Sequence, residues 1–229
     1  MRFGIDHSTS PPPDAAELVR AGVTFVCRYL STRGNPKNIT AAEASALHKA
    51  GIDIVLVFET TRGRAVDGRP AGLADAQAAR AQAREAGLPA APIYFAVDFD
   101  ATPTQQEPIN AYLAAAASML GHDRTGVYGG YHVIRRALNA NVCKYAWQTY
   151  AWSGGQWEPR AQLQQYRNGQ RLAGIKVDFN HATSDDFGQA PRSDARKLQR
   201  LPGPLRKPAW FWAALTEFLR RRRPKRGGR

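Results

Sequence analysis

Residues 93–100 read Ile-Tyr-Phe-Ala-Val-Asp-Phe-Asp, an apolar run that ends in two carboxylates. A short apolar run of this kind is typical of a strand buried on both faces. An Ala-rich helical pattern precedes it at 71–86 and stops at Gly87, where a helix C-cap is expected, and a second helical pattern follows at 104–120. A strand between two helices is the repeating unit of a parallel sheet, so Asp98 and Asp100 are predicted to lie at a strand's carboxyl end.

The same alternation extends in both directions along the chain. Before this strand, the patterns predict strands at 3–6, 24–29 and 52–59 and helices at 14–21 and 40–50, the second beginning at a capping box of Thr40 and Glu43. After it, a strand at 126–128 and a helix at 131–138 lead to strands at 145–150, 162–166 and 175–179, whose linkers are too short for full helices. Eight strands predict an α/β fold, a compact (β/α)8 TIM-like barrel with shortened helices in its second half. An open doubly wound sheet is the alternative.

The net charge of +13 is concentrated near the C-terminus. Residues 191–229 hold 13 Lys and Arg against 2 Asp and Glu, which leaves 19 basic and 17 acidic residues in 1–190. We therefore predict a barrel domain over 1–190 and a basic Pro/Arg-rich tail over 191–229, with a short amphipathic helix at about 209–223. The tail is expected to bind anionic envelope surfaces, or else to act only as a solvated extension. Because the barrel is nearly neutral, no nucleic-acid partner is expected.

The composition, 43% hydrophobic and 22% charged, is that of a soluble globular protein, and no apolar run reaches membrane-spanning length. Cys27 and Cys143 are expected to be buried small residues. The first residues pass directly into a strand pattern, so no classical signal peptide is predicted.

Carboxylates recur at the predicted strand ends, where the active sites of such barrels lie. Asp6 ends the first strand, Glu59 the third, Asp98 and Asp100 the fourth, and Asp178 the eighth. Because strand side chains repeat every two residues, Asp98 and Asp100 are expected to share one face. Crowded carboxylates raise each other's pKa, which provides a protonated acid beside an ionised partner, as glycoside hydrolysis requires. The alternative is that Asp98 only forms buried hydrogen bonds and Asp100 only caps a loop.

Other strand ends carry side chains suited to sugar binding, because aromatic faces stack on sugar rings while amides and Arg bind hydroxyl groups. The candidates are Arg28, Tyr128, Trp147, Gln148, Gln164 and Tyr166. Core packing is the alternative for Trp147, and charge compensation of the acidic cluster is the alternative for Arg28. The chain lacks the motifs of phosphate-binding loops, zinc proteases and nucleophile elbows, so neither a cofactor nor a metal ion is predicted.

Several motifs together resemble a known family. They are Phe-Gly-Ile-Asp6, Tyr-Phe-Ala-Val-Asp98-Phe-Asp100, Gly-Val-Tyr128-Gly, Trp147-Gln148, Gln164-Gln165-Tyr166 and Val-Asp178-Phe-Asn180. Over about residues 1–190 the chain resembles the glycoside-hydrolase-like barrels of actinobacteria and their phages, which are similar in plan to the family 25 lysozymes. The resemblance implies that Asp98 is the Asp of the lysozymes' Asp-x-Glu motif. Asp100 stands where those enzymes have the Glu that acts as general acid, and Glu59 is the other candidate for that role.

The resemblance implies a peptidoglycan-directed glycoside hydrolase of muramidase or endolysin type, with cell-wall glycan as its partner. We expect it to be a monomer that acts at the envelope or outside the cell, and phage lysis is one route by which a cytoplasmic form would be released. A non-catalytic glycan-binding barrel and a phage structural component are the alternatives.

Overall fold

Eight strands pair in sequence order and close into a barrel. They are β1 Arg2–Asp6, β2 Phe25–Leu30, β3 Asp53–Phe58, β4 Ile93–Ala96, β5 Thr125–Gly129, β6 Tyr145–Thr149, β7 Leu163–Leu172 and β8 Ile175–Ala182. The structure, a computed structural model, describes residues 1–192. The tail helix predicted at about 209–223 lies outside the described residues, and the domain boundary at 190 stays a prediction.

Five α-helices cover the outside of the first part of the barrel. They are α1 Ala15–Arg20, α2 Ala41–Lys49, α3 Gly68–Glu85, α4 Gln106–Leu120 and α5 Tyr131–Asn139. Within residues 1–192 no helix follows β6 or β7, so the prediction of an α/β barrel with reduced helices in its second half is confirmed. None of the helices described is both long and apolar enough to span a membrane.

One strand runs against the direction that a fully parallel barrel requires. β1 to β7 pair in parallel, but β8 is antiparallel to both β7 and β1. Only Ala173 and Gly174 separate β7 from β8, and both have positive φ, as a two-residue hairpin turn requires. A parallel return needs a dozen or more residues. Consequently the first half of β8, not its carboxyl end, faces the barrel mouth.

Aromatic side chains fill the barrel interior, and glycines on neighbouring strands make room for them. Phe25 of β2 packs against Gly4 of β1, and Tyr94 of β4 packs against Gly126 of β5. A Cβ atom on either glycine would overlap the facing ring, since at Gly126 it would lie 2.6 Å from Tyr94. The closed end of the barrel is therefore a packed core, as the TIM-like fold predicts.

The segment after β8 completes this core from the closed end. Phe187 is buried with its ring centroid 5.0 Å from that of Phe25, and its carbonyl accepts a hydrogen bond of 2.7 Å from the Tyr94 hydroxyl. The Ala190 N–H donates to the Ile54 carbonyl on β3 at 2.7 Å. These contacts close the end of the barrel opposite to the one at which the parallel strands finish.

Candidate active site

A cavity of about 370 Å³ opens at the carboxyl ends of the parallel strands. Its wall consists of Tyr29, Val57, Glu59, Arg62, Ala96, Asp98, Tyr128, Trp147, Thr149, Ala151, Trp152, Gln165, Asn168 and Asp178. Strands β2 to β8 and the loops that follow β3, β4 and β6 all contribute. Of the five predicted carboxylates, Glu59, Asp98 and Asp178 line this cavity, and Asp6 lies directly behind Asp178.

Asp6 and Asp178 are paired across β1 and β8. Asp6 is 3% exposed and accepts hydrogen bonds from Gln165 at 2.9 Å, Asn180 at 2.7 Å and the Tyr29 hydroxyl at 3.3 Å. Burial, and secondly the charge of Asp178, raise the pKa of Asp6 to about 7, although the three hydrogen bonds oppose this rise. Near neutral pH, therefore, Asp6 is close to half protonated.

Asp178 is the more accessible member of this pair. Its Oδ1 accepts a 2.7 Å hydrogen bond from the Gly169 N–H, and its Oδ2 lies 3.5 Å from the same Gln165 amide that binds Asp6. Burial raises the pKa of Asp178, while the Gly169 N–H and the charge of Lys176 hold this rise back. The pair thus combines a buried carboxyl group that is partly protonated near neutral pH and a half-buried carboxylate that faces the cavity.

Asp98 and Glu59 form a second pair of carboxylates in the wall of the cavity. Asp98 lies two residues beyond β4, and its side chain is 28% exposed. Burial, followed by the charge of Glu59, raises the pKa of Asp98, whereas Arg62, 3.5 Å away, lowers it. Glu59 forms an ion pair of 3.2 Å with Lys37, whose ammonium group lies 4.9 Å from the centre of the Tyr29 ring.

The floor of the cavity is a connected set of aromatic and amide side chains. Gln165 accepts hydrogen bonds from Tyr128 at 3.1 Å and from Thr149 at 2.8 Å while its amide donates to Asp6. The indole N–H of Trp147 donates to Asn180 at 2.8 Å, and the Trp147 and Tyr128 rings meet edge to face at 4.7 Å. These side chains are fixed before any ligand binds, so the floor is preorganised.

Within residues 1–192 no three His, Cys, Asp or Glu side chains are grouped so as to hold a metal ion. The carboxylates that line the cavity can supply proton transfer and electrostatic stabilisation.

Comparison with known proteins identifies the family. The model of the Rv2525c-like, glycoside hydrolase-like domain matches residues 16–182. The chain belongs to this family. A similar sequence is that of the Mycobacterium tuberculosis protein named "Putative peptidoglycan hydrolase Rv2525c", which is 32% identical over 201 residues, 81% of this chain and 82% of that protein.

Solved structures agree with the Rv2525c-like assignment. The crystal structure of the Tat-secreted Mycobacterium tuberculosis protein Rv2525c in complex with L-tartrate superposes with a TM-score of 0.77 at 30% identity, over 82% of this chain and 98% of that one. A family 25 glycosyl hydrolase from Bacillus anthracis has a TM-score of 0.57 at 14% identity, over 82% and 94% of the two chains. The latter likeness shows a shared fold, and the predicted resemblance in plan to family 25 lysozymes is confirmed.

Asp100 is not part of the cavity in this Rv2525c-like barrel. β4 ends at Ala96, so the two-residue alternation predicted to place Asp98 and Asp100 on one face stops before Asp100. Asp100 is exposed and does not line the cavity. The prediction that the two side chains share one face is wrong, because the strand is shorter than its apolar run.

Arg28 and Gln148 point away from the barrel interior. Arg28 is 1% exposed, forms a buried ion pair with Glu43 of α2 and donates to the His7 carbonyl. The Thr40 hydroxyl accepts from the Glu43 N–H at 3.2 Å, so only half of the predicted capping box forms. Gln148 is fully buried and binds Ser153, Gln156 and Glu158, which shapes the loop after β6. Neither residue lines the cavity as predicted.

On β7 the prediction selected the wrong alternate residues. Gln164 bonds to His181 at 2.6 Å, and Tyr166 is 38% exposed and packs against Phe179 and His181 outside the barrel. Gln165, between them, faces inward. The inward position of Leu163 follows the same period of two and marks Gln165 as the interior residue.

Sequence reasoning also missed Tyr29, Thr149, Asn168, Asn180 and Arg62, which line the cavity or bind its carboxylates. For Tyr29 and Thr149 a signal was available, because each continues the inward alternation of its strand. Arg62 and Asn168 lie in irregular segments, where no sequence period applies. Tyr128 and Trp147 are in the cavity, as predicted.

Proposed function

We propose that this protein is a glycoside hydrolase that acts on cell-wall glycan, with Asp98 as its proton donor. The observation that carries the proposal is the convergence of Glu59, Asp98 and Asp178 on a cavity with a preorganised aromatic and amide floor. Membership of a glycoside hydrolase-like family, and a relative named as a peptidoglycan hydrolase, support the choice of substrate.

Asp98 suits the role of acid better than the other carboxylates. Its raised pKa keeps it protonated to higher pH than an ordinary aspartate, and its partial exposure lets it reach a ligand. Glu59 is already engaged by Lys37, Asp6 is buried behind Asp178, and Asp100 lies outside the cavity.

In the proposed reaction, Asp98 gives its proton to the glycosidic oxygen as the bond from that oxygen to the anomeric carbon breaks. The ionised Asp178 stabilises the positive charge that develops on the sugar ring, and Asp6 adjusts the charge of the pair by holding a proton. Water supplies hydroxide to the anomeric carbon and a proton to the Asp98 carboxylate, which restores the site. The rings of Tyr128, Trp147 and Trp152 provide flat surfaces for the sugar.

A non-catalytic glycan-binding barrel is the second candidate. Arg62 lies against Asp98, and Lys37 against Glu59, so each carboxylate has a cationic neighbour before any ligand is present. This arrangement also suits carboxylates that accept hydrogen bonds from sugar hydroxyl groups without transferring a proton.

The decisive experiment measures new reducing ends released from purified peptidoglycan by the full chain. We expect wild type to release them and Asp98→Asn to lose at least about a hundredfold in rate, because general acid catalysis contributes on that order. Asp100→Asn is the matched control, since it makes the same chemical change two residues away but outside the cavity, and it should retain activity. The variant Glu59→Gln tests the contribution of Glu59 separately from that of Asp98.

Two results would contradict the proposal. If no reducing ends were released from peptidoglycans of several sources, the proposed hydrolase activity would be refuted. Retained glycan binding in that case would favour the non-catalytic binding barrel. Equal loss in Asp98→Asn and Asp100→Asn would remove the assignment of Asp98.

The place of action is proposed to be the cell envelope. The support is the relative from Mycobacterium tuberculosis, which is described as Tat-secreted. The basic tail, 13 Lys and Arg within residues 191–229, is proposed to hold the enzyme at anionic envelope surfaces.

A further inference from the structure

A second recess, of about 630 Å³, adjoins the candidate active site. The two cavities share Tyr29, Asn168 and Asp178, so they lie side by side at the mouth of the barrel. The recess is lined by the loop after β1, with Ser8 and Thr9, by the β7–β8 hairpin, with Gly169 and Lys176, and by the carboxylates of Asp6 and Asp178. A glycan bound at Asp98 and Asp178 can therefore extend substituents into this recess.

The hairpin presents two cations on one face, and of these Lys176 lines the recess. Lys176 is two residues from Asp178 on β8, so both side chains lie on the same face. Arg171 of β7 is the direct cross-strand partner of Lys176 and shares that face. Both side chains are exposed, and Lys176 runs beside the Gly169 backbone, where the ladder is irregular between Arg167 and Gln170.

Neither member of this pair forms an ion pair among the described residues. Like charges directly opposite each other on an antiparallel pair are destabilising. Within residues 1–192, neither cation lies within 4.0 Å of a carboxylate. From beyond 4.0 Å, the charge of Lys176 favours the ionised form of Asp178 and lowers its pKa. An anionic ligand group would offset the repulsion that the fold leaves in place.

We propose that this recess binds carboxylates on the peptide substituents of the glycan, and that Lys176 and Arg171 are the residues that recognise them. This inference rests on the proposed function and adds the substrate class: a glycan whose peptides carry free carboxylates. Ser8 and Thr9 offer hydroxyl donors in the same recess. In this arrangement the carboxylates of the active-site cavity face the neutral sugar, and the two hairpin cations face the acidic side group.

The test uses the full chain carrying Asp98→Asn, so that the glycan is not consumed during titration. Binding is measured for glycan fragments whose peptide carboxylates are free and for the same fragments with those carboxylates converted to amides. We expect about tenfold tighter binding of the free-carboxylate form at low salt, with the advantage shrinking as ionic strength rises. The added pair Lys176→Gln and Arg171→Gln should bind both forms with the affinity of the amide form. The control pair Lys49→Gln and Arg69→Gln removes two exposed cations that line neither cavity and should keep the preference.

Each outcome decides a separate point. Equal binding of the two forms by the parent chain, or an unchanged preference after the Lys176 and Arg171 substitutions, would overturn this inference and leave the proposed function standing. Failure to bind either form would remove the proposed function itself. A third arm uses a phosphate-bearing wall polymer without peptides, and tighter binding of that polymer through Lys176 and Arg171 would overturn the assignment to peptide carboxylates.

Discussion

The raised pKa of Asp6 predicts that the barrel loses stability as the pH rises towards neutrality. The pKa of Asp6 rises from 3.8 to about 7 on folding, because the carboxyl group is buried beside Asp178. Between those two values the unfolded chain has released the proton and the folded chain retains it, so unfolding becomes easier with each increment of pH. The loss from this one group is about 1.4 kcal/mol per pH unit and about 4 kcal/mol in all.

The perturbation that isolates this effect is Asp6→Asn. An asparagine at this position resembles the protonated acid: its oxygen can accept from Gln165 and Asn180, and its amide faces the Tyr29 hydroxyl. The variant cannot ionise, so it avoids the cost that wild type meets at higher pH. We expect the free energy of unfolding of Asp6→Asn minus that of wild type to increase from pH 4.5 to about 7 and then level off.

Urea denaturation followed by tryptophan fluorescence measures this difference at half-unit steps of pH. Because every other ionisable group is present in both proteins, their contributions largely cancel in the difference, apart from Asp178, which loses a charged neighbour. Asp100→Asn is the control and should give a flat difference, since Asp100 is exposed. A flat curve for Asp6→Asn, or one that falls with pH, would show that Asp6 is ionised at ordinary acidic pH and that the reasoning is wrong.

Three further predictions concern the fold and the tail. Arg28→Met leaves the buried Glu43 carboxylate unpaired and should lower the free energy of unfolding by about 3–5 kcal/mol in urea, whereas adding Glu43→Met should restore most of it; equal instability of the two proteins would argue against the ion pair. Gly126→Ala puts a Cβ atom 2.6 Å from the Tyr94 ring and should cost about 1–3 kcal/mol, seen as a lower Tm by calorimetry. An unchanged Tm would contradict the close packing. Removal of residues 193–229 should abolish salt-sensitive binding to anionic lipid vesicles; equal vesicle binding with and without the tail would refute its proposed role.

The sequence predicts the barrel well because its signal is repeated. Apolar strand runs alternate with helical patterns through residue 139, and each repeat supports the others. The direction of β8 was missed although the chain contains the constraint. The predicted strands at 162–166 and 175–179 are separated by eight residues, fewer than a parallel crossover needs, so only an antiparallel return fits.

The site was predicted at the level of strands more reliably than at the level of side chains. Glu59, Asp98, Tyr128 and Trp147 lie in the cavity because each continues the inward alternation of its strand. Arg28 shows where the reasoning fails. A charged residue near a strand end is expected to face the mouth of the barrel. In the alternation of β2, however, Arg28 falls on the outward face beneath α2, where the Glu43 carboxylate of that helix compensates the buried charge. That partner is fixed by tertiary packing and carries no local sequence signal.

The antiparallel course of β8 has a chemical consequence. Because β8 runs the other way, Asp178 is brought directly beside Asp6, and one amide, that of Gln165, faces both carboxylates. The protonation state of Asp6 and Asp178 thus depends on the pairing of β1 with β8, which closes the barrel. A substitution at Gln165 should therefore disturb both the charge available to a bound sugar and the stability of the closed barrel, whereas substitution of Asp98, which lies beyond the end of β4, should affect chemistry alone.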